Sequence, residues 1–312
     1  MSQPLVSIVI PVYNGSNYLD QAIDSALAQT YPNTEILVVN DGSKDDGATE
    51  RIALSYGDKI RYFSKENGGV SSALNLGIRE MRGEYFSWLS HDDLYTPDKI
   101  EKQVALLSSE NDIILCSGSL MDADGKPIRH HTKVLSKKLN GRELFAQFLK
   151  GYVLNGLGFL IPRQAFETVG MFDESMRYLQ DLDLWLQMMW CDFSFVCHSD
   201  LLVVSRIHRA QATNTQSALF DTDRYALAKK HIFLLSERTD SKTDELLKLY
   251  YFLFVKGENK PGAALAENQL KERGLFTFSL RREAAGYYVK RLCKQIYRTA
   301  YGFLLKLKKE RD

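Results

Sequence analysis

The apolar positions of this chain fall first into short, unbroken runs. Residues 5–12 (LVSIVIPV) and 35–40 (EILVVN) are rich in β-branched residues and nearly continuous, the pattern of strands buried on both faces. Shorter runs at 59–64 and 84–89 predict a third and a fourth strand. Between the runs the period changes. Leu19, Ile23, Ala26 and Leu27 share one helical face, and Asn67-Gly68-Gly69 opens a helix through Ile78. Asp41-Gly42-Ser43 turns the chain toward another helix, with Ser43 as its N-cap. Thr96-Pro97-Asp98 caps the next, with proline at the first position. Four strand–helix alternations predict a parallel, doubly wound α/β sheet.

Later segments are less regular. Residues 113–120 and 158–162 read as strands, 121–126 as a turn and 193–208 as strand material. Leu182, Trp185, Leu186 and Met189 form one helical face. Beyond residue 221 the pattern is helical almost throughout, with breaks near 239–242, 259–262 and 274. These patterns predict an α/β domain over 1–220 and a helical C-terminal region over 221–312.

Composition narrows the class. A chain of 312 residues with 45% hydrophobic and 25% charged positions has enough apolar material for a full core. The net charge of +1 gives no chain-wide case for nucleic-acid binding. The charge is uneven, however: residues 281–312 carry ten lysines and arginines against three acids. No uncharged apolar run reaches membrane-spanning length, and no leader pattern precedes the first strand. The four cysteines form no CxxC and read as reduced thiols of a cytoplasmic protein.

In an open α/β sheet, ligands bind beyond the carboxyl ends of the strands. Tyr13 and Asn14 follow the first strand, Asp41 the second, Asn67-Gly68-Gly69 the third, and His91-Asp92-Asp93 the fourth. Of two adjacent carboxylates, one can ligate a hard divalent cation while the other accepts from a sugar hydroxyl; a solvated loop before a helix is the plainer alternative. Asp41 is either good turn chemistry or an acceptor for the imide hydrogen of a pyrimidine. The Asn67–Gly69 segment is either a phosphate-binding nest or a turn. No GxGxxG and no Walker A sequence occurs. Asp181 opens a helix, where the dipole favours it and where it can also act as a general base. Arg206 and His208 share one face of a strand end and can meet diphosphate oxygens or a metal. His130 and His131 read as surface residues.

Taken together, VSIVIPVYN (6–14), EILVVNDGS (35–43), ENGGVSSALNLGI (66–78), GEYFSWLSHDDLYTPDKIEKQ (83–103), GFLIPR (158–163), QDLDLW (180–185) and RIH (206–208) resemble the family 2 glycosyltransferases of GT-A fold. The resemblance covers about the first two-thirds of the chain. It implies a Rossmann-like, mostly parallel doubly wound sheet and inverting transfer from a nucleoside-diphosphate sugar, most often a UDP sugar. It further implies that Tyr13 and Asp41 contact the base and Asp92 the ribose, with Asn14, Asn67, Gly68 and Arg206 completing the nucleotide-sugar site. Asp93 and His208 would hold Mn²⁺ or Mg²⁺, and Asp181 would be the catalytic base. Three positions depart from the family pattern: Ser90-His91 precedes the two aspartates, Leu74 stands where many members have arginine, and Gln180 where many have glutamate.

The expected acceptor is a hydroxyl of a glycan or lipid-linked glycan. Val289, Leu292, Ile296, Ala300, Phe303 and Leu307 repeat at helical spacing beside Lys290, Lys294 and Arg298. This basic amphipathic pattern suits either an anionic inner membrane leaflet, as a peripheral anchor, or packing onto the domain. Residues 221–280 suit a helical spacer or an oligomerisation element. A non-catalytic sugar-nucleotide-binding module is the rival reading, with Ser90-His91 and Leu74 in its favour.

Overall fold

Strand β1 (Val6–Val12) is buried along its whole length, as its unbroken apolar run requires. The structure, a computed structural model, describes residues 3–128, 135–208 and 217–286. From β1 the chain runs through α1 (Leu19–Leu27), β2 (Thr34–Asn40), α2 (Ala48–Ser55), β3 (Arg61–Ser64), α3 (Val70–Glu80) and β4 (Tyr85–Trp88). It continues through β5 (Leu94–Tyr95), α4 (Lys99–Ala105), β6 (Asp112–Met121), β7 (Pro127–Ile128), β8 (Lys137–Asn140), α5 (Gly141–Leu149), β9 (Phe159–Pro162), α6 (Arg163–Val169), α7 (Gln180–Met188) and β10 (Ser194–Arg206).

The sheet order is β3-β2-β1-β4-β9-β6-β10-β5, with β7 on β6 and β8 on β10. The first four strands are parallel, Val6 pairing with Thr34 on one side and Tyr85 on the other. All four therefore end at one edge. The second half is mixed. β9 lies antiparallel to both β4 and β6, whereas β10 runs parallel to β6. Tyr85 faces Pro162 in the register, so β9 enters the sheet at the carboxyl end of β4 and runs backwards along it. β6 and β10 thus run in the same direction as the first four strands, with β9 reversed between them and β5, β7 and β8 antiparallel at the margins.

Two helix starts also differ. α2 begins at Ala48, after Gly47 in a left-handed conformation, and Ser43 is not its cap. α4 begins at Lys99, two residues beyond Pro97. Helix α5 has a full capping box between Asn140 and Glu143 and buries Leu144, Phe145 and Leu149.

The chain divides into two compact units, Met1–Asp223 and Arg224–Asp312. Helix α8 (Ser217–Ser236) carries the chain across that boundary into α9 (Ser241–Lys256) and α10 (Lys260–Glu272), and residues 278–286 are helical. Leu227, Leu235, Leu247, Phe254, Ala266 and Leu270 are buried in the second unit, where the Tyr250 hydroxyl meets His231 Nδ1 at 2.6 Å. The helical breaks fall at the predicted places, each start marked by a capping residue, Asp240 or Asn259. The basic amphipathic pattern over 289–307, His130, His131 and Cys293 lie outside the described residues. No described helix is long and apolar enough to cross a membrane.

Candidate functional site

The loops after β1, β2, β3 and β4 meet at the carboxyl edge and are laced together. Asn14 adopts φ +50°, a conformation asparagine tolerates. Its backbone N–H donates to Ser43 Oγ at 2.9 Å, and its Oδ1 accepts from the Lys44 N–H at 2.7 Å. Asn14 therefore joins the first two loops. Tyr13, beside it, is 43% exposed and presents its ring at the rim. Gly42 (φ +69°) brings the second loop against the third; a Cβ there would lie 2.6 Å from the Asn67 nitrogen.

Asp41 is 3% exposed and held from the third loop. Its Oδ1 accepts from Lys65 Nζ at 2.8 Å and from the Gly68 N–H at 3.0 Å, and its Oδ2 accepts from the Gly69 N–H at 2.7 Å. Asn67 Nδ2 donates to the Asp41 carbonyl at 2.8 Å. The opening turn of α3 is thus filled by a protein carboxylate. The Gly68 N–H and the Asn67 side chain organise Asp41.

The loop after β4 holds the paired aspartates. Asp93 is 7% exposed, and its Oδ1 accepts from the Arg206 backbone N–H at 2.7 Å. Burial, and then the neighbouring Asp92 charge, hold its carboxyl well above the usual carboxylate range. Asp92 Oδ2 meets His208 Nε2 at 2.9 Å. Burial pushes the His91 imidazole down, and His208 adds to the effect. His91 packs on the first loop, where a Cβ on Gly15 would lie 2.5 Å from its ring.

Arg206 has a different place from the one its strand position suggested. It is 2% exposed. Its Nε donates to the Asp92 carbonyl at 3.0 Å, its Nη1 to the Ala123 carbonyl at 3.1 Å and its Nη2 to Gln21 Oε1 at 2.7 Å. The guanidinium also covers the Tyr18 ring at 4.2 Å. These bonds make the side chain a strut under the aspartate loop.

Asp92, Asp93 and His208 are the groups here that could meet a divalent cation brought in by a substrate. Among the described residues, no group of three or more His, Cys, Asp or Glu is placed to hold a metal ion. Mg²⁺ and Mn²⁺ commonly take one or two protein carboxylates and complete the shell with water and phosphate oxygens.

Asp181 stands in the first turn of α7, half-buried, and burial pushes its carboxyl up to about 6. An aromatic wall joins α7 to the end of β4. Phe172 meets Trp88 edge-on at 6.0 Å and Trp185 at 5.9 Å, and Trp185 stacks on Phe159 at 4.3 Å. Sequence reasoning passed over Lys65, although it is the first residue beyond β3, as Asp41 is the first beyond β2.

Residues 7–170 match the family model "Glycosyl transferase family 2". An uncharacterized glycosyltransferase of Rickettsia typhi is 52% identical over 221 residues, spanning 68% of this chain and 67% of that protein. A second, from Rickettsia bellii, is also 52% identical but is spanned over 31% of its length. Among solved structures, S. aureus TarS 1–349 in complex with UDP-GlcNAc superposes with a TM-score of 0.66 at 16% identity, covering 95% of this chain and 92% of that one. The mannosyltransferase PcManGT of Pyrobaculum calidifontis, in complex with GDP-Man and Mn²⁺, gives 0.56 at 17%, covering 96% of this chain and 83% of that one. The fold is GT-A, a mixed α/β sheet followed by helices. The chain belongs to glycosyl transferase family 2 and is a transferase of that class.

Proposed function

We propose that the chain transfers a sugar, with inversion, from a nucleoside-diphosphate sugar to a hydroxyl of a glycan or lipid-linked glycan. The observation that carries this reading is the cluster of Asp92, Asp93 and His208 at the carboxyl edge, braced from below by Arg206. It lies where a doubly wound sheet binds nucleotides. Structural neighbours hold a UDP sugar in one case and a GDP sugar with Mn²⁺ in another, which supports a nucleotide-sugar donor, with UDP as the first to test.

Each residue then has a task. Tyr13 stacks on the base, and Asp41 accepts its ring N–H. Asp92 accepts from the ribose. Asp93 and His208 would hold Mn²⁺ or Mg²⁺, which would supply positive charge against a departing diphosphate. Asp181 takes the proton from the attacking hydroxyl, and a carboxyl near 6 is matched to that task at neutral pH. The basic tail is assigned to an anionic membrane surface, which would bring the protein to the inner face of the cell membrane.

Asp181→Asn should keep nucleotide affinity and lose transfer, and Asp93→Asn should lose metal-supported donor binding. Near-wild-type transfer by Asp181→Asn would remove Asp181 as the base.

A further inference from the structure

The bonds around Asp41 leave a countable vacancy. An ionised carboxylate has about four acceptor positions. Lys65 Nζ and the Gly68 N–H fill both positions on Oδ1, and the Gly69 N–H fills one on Oδ2. One position on Oδ2 remains. It belongs to an acceptor, so it takes a donor.

Lys65 fixes this state. Its ammonium has three hydrogens, and the structure gives each a partner: Asp41 Oδ1 at 2.8 Å, Ser72 Oγ at 2.8 Å and the Glu66 carbonyl. Ser72 is itself tied to the Gly69 carbonyl at 3.1 Å. A Cβ at Gly68 would lie 2.5 Å from Ser72 Oγ and 3.0 Å from Lys65 Nζ, so the assembly has no slack. Leu74, on the same helix, is fully buried and brings no charge. The cation at Asp41 comes from Lys65, in the loop before α3.

We propose that Lys65 is the positioning residue that sets base selection at the donor site. It holds Asp41 as an acceptor-only group with one open position. The site then takes a nucleoside diphosphate whose base has a ring N–H beside a carbonyl, as uracil, thymine and guanine do. It rejects cytosine and adenine, whose ring nitrogen at that position is itself an acceptor and sets lone pair against lone pair. This rests on the donor-site reading given above.

The test is calorimetric titration of UDP, dTDP, GDP, CDP and ADP, each with Mg²⁺, into the full chain. Wild type, Lys65→Met, Lys65→Arg and Ser72→Ala are compared after circular dichroism and melting confirm folding. Wild type should prefer the N–H bases, and the UDP and GDP arms separate pyrimidine from guanine recognition. Lys65→Met should weaken the preferred nucleotide by about tenfold and compress its preference over CDP by a similar factor, the scale of one charge-supported hydrogen bond. Lys65→Arg should restore part of the preference, and Ser72→Ala should lower it less. A folded Lys65→Met with unchanged preference overturns the proposal and leaves the donor site standing. If Lys65→Met does not fold, an unchanged preference in Ser72→Ala overturns it instead. Wild type that binds no nucleotide overturns the donor site itself, and this proposal with it.

Discussion

Replacing Arg206 by methionine separates two accounts of that residue. Arg206 is 2% exposed, and its guanidinium donates to three acceptors on separate segments: the Asp92 carbonyl, the Ala123 carbonyl and Gln21 Oε1. Methionine keeps much of the apolar stem but leaves those acceptors unpaired. Gln21 and Ala123 are exposed and can turn to water, so the Asp92 carbonyl carries most of this loss, about 1–3 kcal/mol. The lost contact with Tyr18 adds roughly 0.5–2 kcal/mol. Relief from burying a charge offsets part of this, and the net cost is about 2 kcal/mol. For a unit the size of Met1–Asp223, that lowers Tm by about 4–8 °C. The Arg206 backbone N–H still donates to Asp93, so nucleotide affinity should fall less steeply than stability. Arg206→Lys should rescue little, because an ammonium cannot span three acceptors held in a planar fork. Differential scanning calorimetry with parallel UDP titrations checks this. A Tm within about 1 °C of wild type, with nucleotide affinity lost, would refute the strut and restore a direct phosphate contact.

Asp181 gives a pH prediction. Its folded value, about 6, lies above the ordinary value of 3.8, so the folded chain keeps this proton longer than the unfolded one. The group therefore costs stability above about pH 6 and none below about pH 4. Asp181→Asn should raise Tm at pH 7.5 relative to wild type and leave it unchanged near pH 4; equal Tm values at both would contradict the assigned shift. Transfer by wild type should decline as pH falls through about 6, because the base is then protonated. Gly15→Ala would place a Cβ 2.3 Å from Val12 Cγ2 and 2.5 Å from the His91 ring, and should destabilise by about 1–3 kcal/mol in urea melts. Tyr13→Ala, at an exposed site, should leave the urea midpoint unchanged and weaken UDP binding.

The first four strands were legible because burial on both faces writes a nearly continuous apolar run, and β1 and β2 carry one. The site residues were legible because the carboxyl edge follows from that topology. β9 was found as a strand, but its reversed direction is a matter of pairing that four residues do not encode. Helix α5 was legible in the Asn140–Glu143 capping box and was missed because the strand before it, β8, is short, polar and largely exposed and writes no apolar run. Ser43 looked like a cap by residue type alone; its hydroxyl accepts from Asn14, 29 positions away. Arg206 was placed on the right strand end, but its acceptors lie 83, 114 and 185 positions distant, beyond any local pattern.

The central claim is transfer from a nucleotide sugar with Asp181 as base. The direct measurement is release of nucleoside diphosphate from a panel of UDP, dTDP and GDP sugars with Mn²⁺ and a membrane glycan extract as acceptor, wild type against Asp181→Asn. The account predicts metal-dependent release by wild type from one donor class, and loss of that release in a variant that still binds the nucleotide. Equal release by both proteins would contradict it.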